Sequence, residues 1–157
     1  MSTRISLPDN ARKSTAASLN ARLADAIVLA SHAKQAHWNL RGPRFLTLHE
    51  LFDRVAEMAT AHADSLAERA TTLGEDATGT VEIAARQTAL PPYPTGRISE
   101  EAHLTAIADR LATYTNSLRA HIAEAERAGD PVTADLLTTL AGEADKMLWM
   151  VESHLAQ

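Results

Sequence analysis

Four side chains able to bind a metal ion lie in two pairs along one stretch of the chain. His49 is followed four residues later by Asp53, and Asp64 is followed four residues later by Glu68. Residues four apart lie on the same face of an α-helix, so each pair could hold one cation. The sequence contains no cysteine, so any metal site must use nitrogen and oxygen ligands.

The two pairs also share one face of the helix predicted for this stretch. At about 100° per residue, the four residues fall within about 100° of one another, whereas the apolar residues centre near 250° from His49. The polar set therefore faces away from the core. This spacing leaves a second interpretation open, because acids on the outer face of an amphipathic helix are usually solvated and bind nothing.

Within one chain, the two pairs cannot share a metal ion. Asp64 follows Asp53 by 11 residues, which is roughly 16 Å along a helix axis. If the same helix of a second copy packs antiparallel about a two-fold axis near residues 58 and 59, the first pair of one copy meets the second pair of the other. One symmetry operation then produces two identical sites between subunits.

The phase of the remaining candidates indicates structural roles. His62 lies on the apolar stripe of its helix, which predicts a packed histidine. His37 aligns with the apolar residues of the preceding helix, which favours a core position over a ligand role. On the same basis Trp38 and Trp149 are interpreted as structural.

Four segments with apolar residues at three- and four-residue spacing predict the helices that position these side chains. Thr47 and Glu50 form a capping-box pattern at the start of the second helix. Asp130 and Pro131 fit the N-cap and first position of the fourth helix. The predicted helices run from between Pro8 and Ser14 to near Asn39, from Thr47 to Leu73, from after Ser99 to Gly129, and from Asp130 through Leu155.

The connections between these helices predict the topology. Short connections make the first two helices antiparallel, and likewise the last two. Residues 75–98 form a 24-residue connection in the middle, long enough to travel the whole length of the second helix. One long crossover is the ferritin-like version of the four-helix bundle, and residues 81–86 could form a short helix within it.

Composition limits the class of protein. A chain of 157 residues suits a single domain, residues 1–157, and 45% apolar residues with only 4% aromatic residues favour an all-α fold. The first residues lack the apolar run of a signal peptide, and no stretch suits a membrane span, so we expect a cytoplasmic protein. A net charge of −5 argues against a surface devoted to phosphate binding.

A denser pattern around the paired residues resembles one protein family. A tryptophan between His37 and Asn39 is followed by a second histidine 12 residues after the first, and then by acids 4, 15 and 19 residues further on. This pattern resembles the Dps family, the mini-ferritins also called DNA-binding proteins from starved cells. The matching residues are Lys34-Gln-Ala-His-Trp-Asn-Leu-Arg-Gly-Pro43, Phe45, Leu48-His49-Glu50, Asp53, Asp64, Ala67-Glu68-Arg69, Leu73-Gly74 and Leu148-Trp-Met-Val-Glu-Ser-His154.

The resemblance implies a ferroxidase centre between two-fold-related subunits, twelve of which assemble into a hollow shell. It implies that iron(II) is oxidised, preferably by hydrogen peroxide, and that ferric mineral collects in the cavity. The family's ligands fall on His37, His49 and Asp53 of one subunit and on Asp64 and Glu68 of the other, and no ligand is substituted. Trp38 matches a family tryptophan thought to supply or quench electrons beside the site. Zinc is expected to compete with iron(II) for these ligands.

Two further groups of residues have side chains that could bind a metal ion. Family shells admit cations through acidic pores near the start of the last helix, where Asp130 and Asp135 lie; capping the helix is an equally good explanation for Asp130. Glu100 and His103 have the Glu-x-x-His spacing of di-iron bundles. Such sites need two copies of the motif, so acids that stabilise the first helical turn explain this one better.

DNA binding is expected to be weak or absent near pH 7. Residues 1–13, predicted to be a short flexible arm, contain three basic residues and one acidic residue. Twelve copies at −5 each give −60 for the shell, so attraction to phosphate should be poor. The alternative function is a non-catalytic, nucleoid-associated shell that packs DNA, which predicts strong compaction and no accelerated iron oxidation.

Overall fold

The computed structural model describes residues 3–155, which form five α-helices and, within that range, no strand. The helices are α1 (Asp9–Asn39), α2 (Phe45–Thr72), α3 (Val81–Gln87), α4 (Glu100–Arg127) and α5 (Pro131–Glu152). The predicted four-helix bundle with a short helix in one long crossover is confirmed. Across the described range, no helix is both long and apolar enough to cross a membrane.

Side-chain contacts between α1 and α4 show that these two helices run in opposite directions. Arg22, in the first half of α1, donates to His121 near the end of α4 at 2.8 Å. Further along α1, His32 accepts a hydrogen bond from Arg110 at 3.0 Å. Residue numbers that rise on α1 fall on α4. α1 also packs against α2, and α4 against α5, and the short connection within each pair makes its two helices antiparallel.

The apolar stripe of α2 faces the core, as predicted. Leu48, Phe52, Val55, Ala59 and Leu66 are all completely buried. The opposite face of α2 carries the paired acids and is left at the surface of the single chain. Burial of the stripe therefore fixes the direction in which the candidate ligands point.

Two of the predicted helix starts are confirmed by their capping hydrogen bonds. Ser99 accepts a hydrogen bond from the backbone N–H of Ala102 at 3.1 Å. Asp130 accepts one from the N–H of Thr133 at 3.0 Å. Each side chain satisfies an amide that the first helical turn leaves without an intrahelical partner.

The predicted capping box at Thr47 is wrong. α2 begins at Phe45, two residues earlier, and Arg44 precedes it without a side-chain cap. The backbone N–H of Arg44 instead donates to the Glu100 carboxylate at 3.1 Å, and its guanidinium donates to the same carboxylate at 2.5 Å. This acceptor comes from α4, and a local sequence pattern does not reveal it.

The same contact explains why Gly42 is a glycine. Its φ of 151° lies in the region that side chains rarely adopt, and a Cβ at this position would collide with the carboxylate of Glu100. The turn between α1 and α2 is therefore shaped around a residue that lies 58 positions later in the chain.

Two buried polar side chains hold the crossover against the bundle. Asp25 on α1 accepts hydrogen bonds from the Thr88 hydroxyl at 2.8 Å and from the Ala89 N–H at 2.7 Å. Arg110 on α4 donates to the carbonyls of Pro91 and Pro92 at 3.0 and 2.6 Å. The long connection is thus attached to both α1 and α4.

The predicted flexible arm, residues 1–13, needs a correction. α1 begins at Asp9, so residues 9–13 are helical, and residues 1 and 2 lie outside the described range. Arg12 also donates to the carbonyl of Leu73 at 3.0 Å, which attaches the start of α1 to the end of α2. The prediction missed this contact because Leu73 is distant in sequence.

Candidate metal centre

The end of α1 and the start of α2 bring two histidines into contact. The Nδ1 of His37 lies 2.8 Å from the carbonyl oxygen of His49, and the Nδ1 of His49 lies 2.9 Å from the carbonyl oxygen of His37. The two rings stack with their centroids 3.5 Å apart and their planes at 20°. His37 therefore does not lie in the hydrophobic core; it stacks on His49 at the edge of the bundle.

These reciprocal hydrogen bonds select the tautomer of each ring in its neutral form. A carbonyl oxygen only accepts, so each Nδ1 carries the proton and donates it. Each neutral ring then carries its lone pair on Nε2, and neither Nε2 has a hydrogen-bond partner among residues 3–155. An imidazole that donates from Nδ1 and keeps Nε2 free is the usual arrangement of a metal-binding histidine.

Asp53 lies beside the histidine pair. One of its carboxylate oxygens is 4.0 Å from the His37 ring nitrogen Nδ1 and accepts a hydrogen bond of 2.6 Å from Lys34. That hydrogen bond lowers the pKa of Asp53 below its usual value, and the positive charge of Lys34 acts in the same direction. The carboxylate is held ionised, as a metal ligand must be.

The spacing of the candidate ligands does not by itself point to Lys34. It lies three residues before His37, on the same face of α1, so helical periodicity could have placed it at the site. Its ammonium group neutralises Asp53 in the absence of a metal ion. A metal ion that binds Asp53 must therefore compete with a cation supplied by the protein.

Asp64 and Glu68 lie further along α2, are exposed, and do not reach the histidine pair of their own chain. Within residues 3–155, no three histidine, aspartate or glutamate side chains are grouped so as to hold a metal ion. One chain therefore brings together the two histidines with Asp53 at their side and, separately, a pair of carboxylates, and neither group alone is a complete metal site.

An open groove connects the two halves along the outer surface of α1 and α2. Its volume is about 810 Å³, and Lys34, Trp38, Asp53 and Asp64 line it. Between the two acids it is lined by Glu57 and by small side chains, among them Ala56 and Ala61.

Comparison with known proteins identifies the family. The model of the ferritin-like domain matches residues 16–157. A DNA protection during starvation protein from Agrobacterium fabrum is 39% identical over 155 residues, which cover 99% of this chain and 96% of that one. The chain belongs to the Dps family of ferritin-like proteins.

Solved structures of Dps proteins superpose on the whole chain. A Dps structure from Mycobacterium smegmatis has a TM-score of 0.94 at 32% identity and covers 100% of this chain and 94% of that one. DpsC from Streptomyces coelicolor has a TM-score of 0.96 at 28% identity and covers 100% of this chain and 92% of that one.

Trp38, which matches the family tryptophan, lines the groove and is 68% exposed. The ammonium group of Lys34 lies 6.0 Å from the centre of the Trp38 ring, within reach of a weak cation–π contact. The indole is therefore a wall of the candidate site and does not belong to the hydrophobic core.

The two candidate pore acids of this Dps protein differ in burial. Asp130 is 3% exposed, and Arg69 and Thr133 bind its carboxylate. Burial acts to raise the pKa of Asp130, but the hydrogen bonds from these partners outweigh it and lower the pKa. Asp135 is exposed, and its role in a pore stays a prediction.

The Glu-x-x-His pair is occupied by other contacts. Arg44 holds the carboxylate of Glu100. His103 is 2% exposed, and its Nδ1 lies 2.8 Å from the hydroxyl oxygen of Tyr93. These partners give both residues structural roles, in agreement with the preference for first-turn acids.

Proposed function

We propose that the protein is a ferroxidase and iron-storage mini-ferritin that oxidises iron(II), preferably with hydrogen peroxide, inside a shell of twelve subunits. The observation that carries this proposal is the histidine pair. Two stacked imidazoles each direct a free Nε2 away from the hydrogen bond made by Nδ1, and an ionised carboxylate lies beside them.

The geometry of the groove supports a site completed by a second copy. A two-fold axis near residues 58 and 59 would pass between Asp53 and Asp64, where Glu57 and several small side chains line the groove. Antiparallel packing of two α2 helices at this point brings Asp64 and Glu68 of a second copy to the histidine half-site. Three carboxylates and two imidazoles then surround the metal.

The ligand set suits the oxidation of iron. Carboxylate and imidazole ligands bind iron(II), and the carboxylates stabilise the higher charge of iron(III). Two iron(II) ions together supply the two electrons that reduce one hydrogen peroxide molecule, with two protons, to two water molecules. Consumption of peroxide in this way releases no hydroxyl radical. Zinc should inhibit, since it binds such ligands more tightly than iron(II) does.

Mixed shells provide the sharpest test of the shared site. We expect His49→Ala and Asp64→Ala, each alone, to lose rapid iron(II) oxidation while retaining the assembled shell. When the two variants are unfolded together and reassembled, half of the two-fold pairs contain one copy of each, and each such pair has one intact site. About a quarter of the sites, and of the initial rate, should return.

The measurement is the initial rate of iron(II) oxidation with peroxide, with the shell mass checked by light scattering. Each variant, unfolded and reassembled on its own, is the matched control and should stay inactive. If the mixed shells stay inactive although they are assembled, the two halves of the site belong to the same chain. If His49→Ala and Asp64→Ala both keep the wild-type rate, the site lies elsewhere.

The name of the Agrobacterium fabrum relative suggests DNA protection as a second candidate function. Protection by direct binding is disfavoured here, because a shell of twelve chains at −5 each carries −60. We expect no retardation of plasmid DNA near pH 7 and moderate salt. A tight, salt-sensitive shift would contradict this and would favour the DNA-packing alternative.

A further inference from the structure

Both tyrosines of the chain touch a histidine through the phenolic hydroxyl, whereas both tryptophans are exposed. The Tyr114 hydroxyl lies 3.2 Å from Nδ1 of His62, and the Tyr93 hydroxyl lies 2.8 Å from Nδ1 of His103. Trp38 and Trp149 are 68% and 63% exposed. The iron chemistry proposed above uses neither tyrosine.

The Tyr114 contact belongs to a chain of hydrogen bonds with a defined direction. The Nε2 of His62 lies 2.8 Å from the carboxylate of Glu143 on α5. A carboxylate only accepts, so Nε2 carries the ring proton and Nδ1 carries the lone pair that receives the phenol's hydrogen bond. Tyr114 and His62 are buried, whereas the side chain of Glu143 is 57% exposed.

The Tyr93 contact lacks this support. The Nε2 of His103 is buried and has no hydrogen-bond partner among residues 3–155. The guanidinium of Arg110 lies 5.0 Å from the centre of the Tyr93 ring. A proton transferred from Tyr93 to His103 would leave a buried imidazolium whose second nitrogen has no hydrogen-bond partner within residues 3–155, and burial already lowers the pKa of His103.

We propose that Tyr114 is a redox-active residue that gives one electron to a radical formed on an exposed tryptophan, while its phenolic proton passes to His62. An oxidising radical first removes one electron from an exposed indole, whose N–H proton goes to water. The indolyl radical then takes one electron from Tyr114 and one proton from water and becomes indole again. The products are a phenoxyl radical at Tyr114 and an imidazolium at His62 beside Glu143.

Burial favours this coupled transfer. It raises the pKa of Tyr114, so the phenol stays protonated and an adjacent base must receive the proton when the electron leaves. The bare Nδ1 of His62 is that base, and the Glu143 carboxylate stabilises the resulting imidazolium. The electron deficiency moves from a surface indole to a completely buried side chain, away from solvent and solutes.

Pulse radiolysis of the assembled, iron-free protein tests the proposal with azide radicals, which oxidise exposed indoles. We expect the absorption of the indolyl radical to decay in a first-order process as that of the phenoxyl radical grows. Tyr114→Phe, which removes one oxygen atom, should abolish the phenoxyl absorption. Tyr93→Phe is the matched control and should retain it.

Glu143→Gln distinguishes a redox role of the Tyr114–His62 pair from a purely structural one. We expect it to slow the growth of the phenoxyl absorption by about tenfold, since an amide stabilises an imidazolium far less than a carboxylate does. The proposal is wrong if the wild type forms no phenoxyl radical, if Tyr114→Phe retains it, if Tyr93→Phe abolishes it, or if Glu143→Gln leaves the rate unchanged. The proposal stands apart from the ferroxidase function, and the test contains no iron.

Discussion

The histidines at the edge of the bundle and the histidines inside it differ in what their second nitrogen does. His37 and His49 each use Nδ1 on a backbone carbonyl, and within residues 3–155 nothing binds their Nε2 atoms. Inside, His62 uses both nitrogens, one on Tyr114 and the other on Glu143. The same side chain is thus prepared for a ligand in one place and connects helices in the other.

The comparison shows that burial of a histidine does not by itself decide its role. The side chain of His37 is only 12% exposed, yet its free nitrogen makes it a candidate ligand. Both ring nitrogens of completely buried His62 are engaged, so it has none to offer a metal ion. Changes that remove one partner at a time test this distinction.

The largest effect is expected at His62. His62→Leu leaves the hydroxyl of Tyr114 buried without a partner, which should lower the free energy of unfolding by about 1–3 kcal/mol. The denaturation midpoint of the assembled protein measures the loss. The double variant with Tyr114→Phe removes the orphaned hydroxyl and should recover part of the stability. Equal loss in the single and double variants would show that the hydrogen bond contributes nothing.

A smaller, pH-dependent effect is expected at His32. Burial and then the charge of Arg110 lower the pKa of His32 from 6.5 to about 4. The unfolded chain therefore binds a proton that the folded chain does not. The stability from this group is fully present above pH 6.5 and is lost as the pH falls through 4.

His32→Gln checks this pH dependence, because glutamine can accept the hydrogen bond from Arg110 and does not titrate. Between pH 7.5 and about pH 5, the wild type should lose stability relative to the variant, by less than about 1 kcal/mol because solvent screens a partly exposed ring. Parallel denaturation curves at both pH values measure the difference. A difference that does not change with pH would mean that His32 has an ordinary pKa in the folded protein.

The sequence predicted the helices and the paired ligands because both depend on local periodicity. It placed the buried stripe of α2 and the outward face of Asp64 and Glu68 correctly. It did not predict the start of α2, because Arg44 is held by a carboxylate from α4. Helical phase alone favoured a core position for His37, and only the family resemblance indicated a ligand. The reciprocal hydrogen bonds with His49 form when the turn at Gly42 folds α2 back onto α1, which local periodicity does not reveal.

The smallest effect is expected at Lys34, which forms an ion pair with Asp53 when no metal ion is bound. An exposed ion pair is weak because water screens it, so Lys34→Gln should tighten the binding of a divalent metal by no more than about fivefold. Calorimetric titration of cobalt(II) into the assembled protein measures the change. Lys34→Arg is the matched control, since it retains the charge and should bind as the wild type does.

Titrations at several salt concentrations make the test at Lys34 more specific, because added ions screen the charge of its ammonium group. The difference in cobalt(II) affinity between the wild type and Lys34→Gln should therefore narrow as ionic strength rises. Weaker binding by Lys34→Gln at every salt concentration would indicate that the lysine positions Asp53 for the metal. In that case the ammonium group belongs with the free Nε2 atoms of His37 and His49, as part of a site arranged before the metal arrives.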